Sequence, residues 1–235
     1  MKNNKFQAIY QELAKKLEEK ELRVGEKLPS EHELMVQYHT SRETIRKALN
    51  LLAQNGYIQK VRGKGSIVLD RARFDFPISG LVSFKELAKK MGKSWVTKVH
   101  ELNVVKPSDV LRESLGAEEL WKVVRSRQVD GERIILDTDY FQTRHVPLLT
   151  EEIAEQSIYE HLENELGLSI SFADKEVTVE EANPLDRELL DLNGLSHVVV
   201  VKSLVHLDDA SPFQFTESRH RLDKFRFVDF ARRMK

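Results

Sequence analysis

The chain has no cysteine among its 235 residues, which rules out disulfides and thiolate metal sites. That absence fits a reducing compartment, and the cytoplasm is the expected location. Long apolar runs are also missing. The opening stretch MKNNKFQAIYQELAKKLEEK is broken throughout by charge, so neither a signal peptide nor a membrane helix is expected there. No internal repeat, low-complexity segment, nucleophile elbow, P-loop or metal motif is evident. Ser, His and Asp are all present, but in no catalytic constellation. The expectation is therefore a chain that is not an enzyme, with no catalytic residue, no metal and no cofactor. Net charge is −1, which taken alone argues against a nucleic-acid partner.

The distribution of that charge argues the other way. Residues 1–69 carry 13 Lys and Arg against 8 Asp and Glu, a balance of +5, and the remainder carries 24 against 30, a balance of −6. A basic head on an acidic body is what results when only the head meets phosphate. Within the head, Phe6, Ile9, Leu13 and Leu17 mark an amphipathic first helix. Pro29 then precedes Ser30-Glu31-His32-Glu33, a capping box in which hydroxyl and carboxylate satisfy the free donors at a helix start. Leu34 and Met35 supply the apolar side, and Tyr38-His39 ends this short helix. Thr40-Ser41-Arg42-Glu43 repeats the box. Ile45, Leu49 and Leu52, with Ala48 between them, give the second helix one inward face, and Gly56 closes it. Tyr57 to Val61 alternates as a strand, Arg62-Gly63-Lys64-Gly65 makes a tight turn, and Ser66 to Leu69 returns.

Two helices joined by a tight turn, followed by a glycine-rich basic ribbon, form a device for reading duplex DNA. An arginine near the start of the second helix can pair bidentately with guanine, discriminating by roughly 1–3 kcal/mol. Helix N-terminal amides and Ser or Thr hydroxyls can hold phosphates. Glycines in the ribbon let the backbone approach the minor groove while Arg62 and Lys64 supply charge. The alternative is a small helical domain whose charges are simply solvated.

The whole stretch closely resembles the winged helix-turn-helix of the GntR family of bacterial transcription regulators. The matching pieces are Leu28-Pro29-Ser30-Glu31, Glu33-Leu34, Ser41 to Leu49, Gly56-Tyr57-Ile58 and Gly63-Lys64-Gly65. The resemblance implies that Arg42 reads bases, that Ser41, Thr44 and Arg46 contact backbone and nearby bases, and that Arg62, Gly63, Lys64 and Gly65 form the wing. Where the family often has a base-contacting arginine, this chain has His32, so that contact is expected to differ or to respond to pH. The implied partner is a palindromic operator, bound by a homodimer.

Residues 70–78, charged, aperiodic and ending near Pro77, read as a linker between a winged head over 1–69 and a second domain over 79–235. Phe74 and Phe76 are expected to be buried. Beyond Pro77 the pattern is α+β. Helices are expected over 83–91, 108–115, 157–166 and 184–191. Strands are expected over 95–105, 120–129, 133–141, 170–180, 198–207 and 213–220, with Asp130-Gly131 as a hairpin turn. An antiparallel sheet with packed helices is the economical architecture.

This part resembles the UTRA effector-binding domain of the HutC branch of the same family, whose fold is related to that of chorismate lyase. The similar pieces are Ser79 to Glu86, Arg125-Ser126-Arg127, His145-Val146-Pro147, Ser157 to Glu160 and Phe215 to Arg221. SGLVSFKELA, ELGLSIS and FTESRHRLDKFRFVDFARR are similar to the trehalose-responsive members, which implies a sugar-phosphate effector, trehalose 6-phosphate. An N-acetylhexosamine phosphate such as N-acetylglucosamine 6-phosphate is the rival. Arg125 and Arg127 are two apart on a strand, share a face and could clamp a phosphate dianion. Ser83, Phe84 and Lys85 offer a helix start as a second donor set. Asp137, Tyr159, Gln214 and His220 are the candidates for the sugar hydroxyls, by match to related sensors. Three alternatives stand beside this. Arg125 and Arg127 could pair with Asp137 or Asp139 across the hairpin. The same arginines could bind a carboxylated substrate in an enzyme. The chain could also be a constitutive architectural DNA binder, which would not need such a body.

Overall fold

The structure is a computed structural model, and it describes residues 5–19, 21–69, 84–85 and 94–227. These lie in two compact units, one within residues 1–74 and the other within 75–227. The expected linker over 70–78, Ser83 and most of the expected helix over 83–91 fall outside the described residues.

In the first unit, α1 (Lys5–Glu18), α2 (Glu31–Gln37) and α3 (Arg42–Gln54) precede a two-stranded ribbon, β1 (Ile58–Val61) and β2 (Gly65–Val68). Ser30 caps α2 in a complete capping box with Glu33; α3 does not repeat the box expected over Thr40 to Glu43, because its cap is Ser41, one residue later, which accepts from the Thr44 amide. Leu34, Ile45, Ala48 and Leu52 are fully buried and pack with Ile9, Leu13, Leu49 and Ile58. Each buried Leu or Ile contributes ~1.5–3 kcal/mol of burial free energy. At the ribbon, Val61 pairs with Gly65 and Ile58 with Val68. Gly63 and Gly65 adopt φ of +78° and +91°, angles that admit glycine readily and other residues only with strain.

The second unit is one six-stranded antiparallel sheet in the order β3-β4-β5-β8-β7-β6. Its strands are β3 (Trp95–Val105), β4 (Leu120–Val129), β5 (Glu132–Gln142), β6 (Ile170–Glu181), β7 (His197–Leu207) and β8 (Pro212–Arg221). The β4–β5 turn places Asp130 and Gly131 at φ of +50° and +87°, the two positive angles that a two-residue hairpin of type I′ requires. The helices are α4 (Asp109–Leu115), α5 (Glu151–Gln156), α6 (Ile158–Asn164) and α7 (Pro184–Leu189).

The helices divide between the sheet's two faces. Ala154 of α5 and Ile158 and Leu162 of α6 pack with Val123, Phe141 and Val205 on one. Leu189 of α7 packs with Val124, Leu136, Val198 and Val200 on the other. The α5 helix is an addition to the expected elements. Thr150 caps it by accepting from the Ile153 amide, but at six residues it is too short to display a period. Among the described residues no helix is long and apolar enough to cross a membrane, and no group of His, Asp and Glu is placed to hold a metal.

Candidate functional site

Two surfaces carry the residues of interest, one on each unit. On the first, α3 presents Arg42 and Arg46 to solvent, and the ribbon tip presents Arg62, Gly63, Lys64 and Gly65; all are exposed, as is His32 on α2. The cap at Ser41 orients the start of α3, and the Ser41 and Thr44 hydroxyls lie 2.9 Å apart. Thr44 is half-buried, so its hydroxyl partly serves the helix cap rather than standing free. Arg42 Nε donates to Glu31 Oε2 at 2.8 Å, and Arg46 Nε lies 4.0 Å from Glu31 Oε1. Lys60 Nζ of β1 donates to Asn50 Oδ1 of α3 at 2.6 Å, linking ribbon to helix. The contacts of Glu31 with Arg42 and of Asn50 with Lys60 were not foreseen, because no local spacing connects the start of α2, the middle of α3 and the ribbon.

On the second unit, strand register brings the expected effector residues together. Arg125 lies opposite Asp137, Asp137 opposite Ser218, and Arg127 opposite Thr97 and Ile135. Ile135 lies opposite His220, and Phe141 opposite Gln214. Because cross-strand partners share a face, Thr97, Arg125, Arg127, Asp137, Asp139, Gln214, Ser218 and His220 form one polar field over four adjacent strands. Arg125 Nη2 donates to Asp139 Oδ2 at 2.5 Å and its Nη1 to the Ala154 carbonyl at 3.0 Å. Arg127 Nε donates to Asp137 Oδ2 at 2.9 Å and its Nη1 to Thr97 Oγ1 at 2.6 Å. Gln214 Nε2 donates to Asp139 Oδ1 at 2.9 Å, and Tyr159 Oη of α6 donates to Gln214 Oε1 at 2.8 Å. The Ser218 hydroxyl donates to Asp137. Ser218 and Thr97 are additions to the expected set. Both lack a distinctive sequence signal, since Ser and Thr in strands are commonplace.

The diagonal pairs Arg125–Asp139 and Arg127–Asp137 are the cross-hairpin ion pairs weighed above as the alternative to a phosphate clamp, so neither guanidinium stands free of carboxylate. All four side chains are largely withdrawn from solvent, from 4% exposure at Asp139 to 12% at Asp137. Burial pushes the Asp137 carboxyl up, but Arg127, Arg125 and Ser218 outweigh it and hold the group below its ordinary value. Burial, with Arg125 alongside, pushes Arg127 down to about 10. Burial also holds the Tyr159 phenol well above its usual value and pushes His220 down to about 4. Each guanidinium has five N–H donors, so donors remain after these bonds; Arg125 Nε is buried with no partner among the described residues.

Of the expected helix start, Phe84 and Lys85 are described. The Arg127 guanidinium lies 5.0 Å from the Phe84 ring centroid, and Phe84 meets Trp95 edge-on at 5.9 Å. Lys85 Nζ is 2.6 Å from Glu160 Oε2 on α6. These contacts bring Phe84 to the rim of the polar field and tie Lys85 to the helix that carries Tyr159.

Two protein families match the chain in this same division: bacterial regulatory proteins of the gntR family over residues 5–68, and the UTRA domain over residues 90–226. The HTH-type transcriptional regulator TreR of Bacillus subtilis is 59% identical over 238 residues, covering 100% of both chains. The crystal structure of the possible transcriptional regulator YydK from B. subtilis covers 97% of this chain and 99% of its own, at 32% identity and a TM-score of 0.79. The structure of the B. subtilis trehalose repressor (TreR) effector binding domain covers 60% of this chain and 99% of its own, at 57% identity and a TM-score of 0.54. With a DNA-reading head, an antiparallel effector-type sheet and full-length identity to a regulator, the protein belongs to the GntR family of bacterial transcriptional regulators, carries a UTRA domain as its second unit, and is a regulator rather than an enzyme.

Proposed function

We propose that this chain represses a trehalose uptake or utilisation operon and is released from its operator by trehalose 6-phosphate. The proposed division is a head over 1–69, a linker over 70–78 and a sensor over 79–235. A cytoplasmic homodimer sets two α3 helices in successive major grooves of a palindromic site. Arg42 reads a guanine, with Ser41, Thr44 and Arg46 on adjoining backbone and bases. His32 stands where relatives place a second contact, and residues 62–65 follow the minor groove.

The observation that carries the effector half is the polar field centred on the Arg125–Asp139 and Arg127–Asp137 pairs, taken with the identity to a regulator named TreR. Two guanidinium groups facing two carboxylates give no net positive charge. A phosphate dianion therefore shares the arginines with the aspartates, drawing on the guanidinium N–H donors that the carboxylates leave unused, and Lys85 joins it by exchanging Glu160 for phosphate. Asp137, Gln214, Tyr159 and His220 then address sugar hydroxyls, with Tyr159 bonded to Gln214 and Asp137 held by Arg127 and Ser218. Effector binding favours a dimer arrangement in which the heads no longer match the operator grooves.

Calorimetric titration of the full chain with trehalose 6-phosphate, trehalose, glucose 6-phosphate and N-acetylglucosamine 6-phosphate tests this. Selective binding of trehalose 6-phosphate is expected. Preference for N-acetylglucosamine 6-phosphate would keep the repressor and replace its regulon. Binding of none of the four would sink the effector assignment.

A further inference from the structure

We infer that Glu31 is a positioning residue for base recognition, a carboxylate that aims the Arg42 guanidinium at the DNA. The inference rests on the reading of Arg42 as the base-reading residue and adds to it what sets that side chain's direction.

Glu31 is the first residue of α2, whereas Arg42 opens α3, and the turn between the helices brings them together. Glu31 Oε2 accepts from Arg42 Nε at 2.8 Å, while Arg46 Nε lies 4.0 Å from the other oxygen. Glu31 is 30% exposed, against 72% for Arg42 and 64% for Arg46. The anchor is thus the recessed member and the arginines project past it. Holding Nε leaves both terminal amino groups of Arg42 for the N7 and O6 acceptors of guanine.

Stability does not account for the arrangement. Exposed ion pairs contribute little to folding. On a surface that meets a polyanion, a carboxylate also weakens binding to every sequence alike. What it can do is restrict a long side chain with many rotamers before DNA arrives, so that less freedom is lost on forming the bidentate contact. The α2 cap does not depend on Glu31, because Ser30 and Glu33 form that box by themselves.

The test compares full-length wild type, Glu31→Gln, Glu31→Asp and Arg42→Ala. A duplex is first selected by the wild-type protein from a random library. Affinity for it and for a scrambled duplex is then measured by fluorescence anisotropy, with thermal melting as the folding control. Glu31→Gln is expected to bind the scrambled duplex a few-fold more tightly, having lost a negative charge. The ratio of selected to scrambled affinity should nonetheless fall about five- to tenfold, part of what one guanine contact supplies. Glu31→Asp keeps the charge but withdraws it by one methylene, so its ratio should fall without the general tightening. An unchanged ratio in either variant would overturn the inference, since Glu31 would then be a local charge only. An Arg42→Ala protein that kept the wild-type ratio would instead overturn the base-reading assignment beneath it.

Discussion

At the scale of single residues, the buried charges of the sensor are the most exacting feature. Arg125 and Asp139 are each almost fully enclosed, and deleting one member of such a pair leaves the other unpaired in a medium that solvates it poorly. Arg125→Ala should therefore lower sensor stability by ~3–5 kcal/mol, read from denaturant unfolding. Where it still folds, it should bind operator and ignore the effector; normal induction would remove Arg125 from the phosphate site. His220 supplies a pH prediction. Burial pushes its imidazole down to about 4, against about 6.5 unfolded, so the fold favours the neutral ring. This contribution is complete above pH ~6.5 and is lost as pH falls toward 4. It amounts to on the order of 2 kcal/mol, allowing for partial solvent screening of the ring. His220→Phe should flatten that part of the stability profile, and an unaltered profile would show that other groups carry it. Which residues share the polar field was legible where strand alternation applies, as for Arg125 and Arg127. Pairing with Asp137 or Asp139 across the hairpin was legible as an alternative, but not which arginine takes which aspartate, because diagonal reach depends on side-chain torsions rather than spacing.

At the scale of elements, the chain announces several of its boundaries through caps and positive-φ turns. Ser30 with Glu33, Ser41, Asp130-Gly131 and Asn183 with Pro184 all stand where the structure starts or turns an element. The strands Trp95–Val105 and Leu120–Val129 have the expected bounds, and the others differ by a residue or so at their ends. Helix α5 was missed because Pro147 and Leu148-Leu149 ahead of it resemble a loop, and its six residues give the core only the adjacent pair Ile153 and Ala154, which shows no helical period. The contact between α2 and α3 that sets Glu31 beside Arg42 was also beyond reach, since it depends on how two helices cross. The core beneath them supplies a prediction of its own. Leu52 is fully buried on α3, and Leu52→Ala should cost ~2–5 kcal/mol. In the full chain, the head should then melt before the sensor. A single transition unchanged from wild type would show that Leu52 contributes little to the head.

At the scale of the whole molecule, linkage constrains any account of induction. If effector weakens operator binding by some factor, operator must weaken effector binding by that same factor. Operator affinity at saturating trehalose 6-phosphate and effector affinity at saturating operator should therefore change equally; unequal factors would mean a third species, such as a dissociated dimer, enters the cycle. The α+β class and the antiparallel sheet were readable from strand content and hairpin signals. The strand order was not. Nothing local in Pro212–Arg221 directs it to β5 rather than leaving it at an edge beyond β7.

That strand order has a consequence in time. Among the described residues the core of the head is built within residues 5–69, whereas the polar field is incomplete until β8 has slotted between β5 and β7. Gln214, Ser218 and His220 arrive on that strand, some 80 residues after their neighbours on β5. Pairings so distant in sequence are slow to form, and synthesis delivers the N-terminal part first. A growing chain thus acquires the means to grip DNA well before it acquires the means to let go.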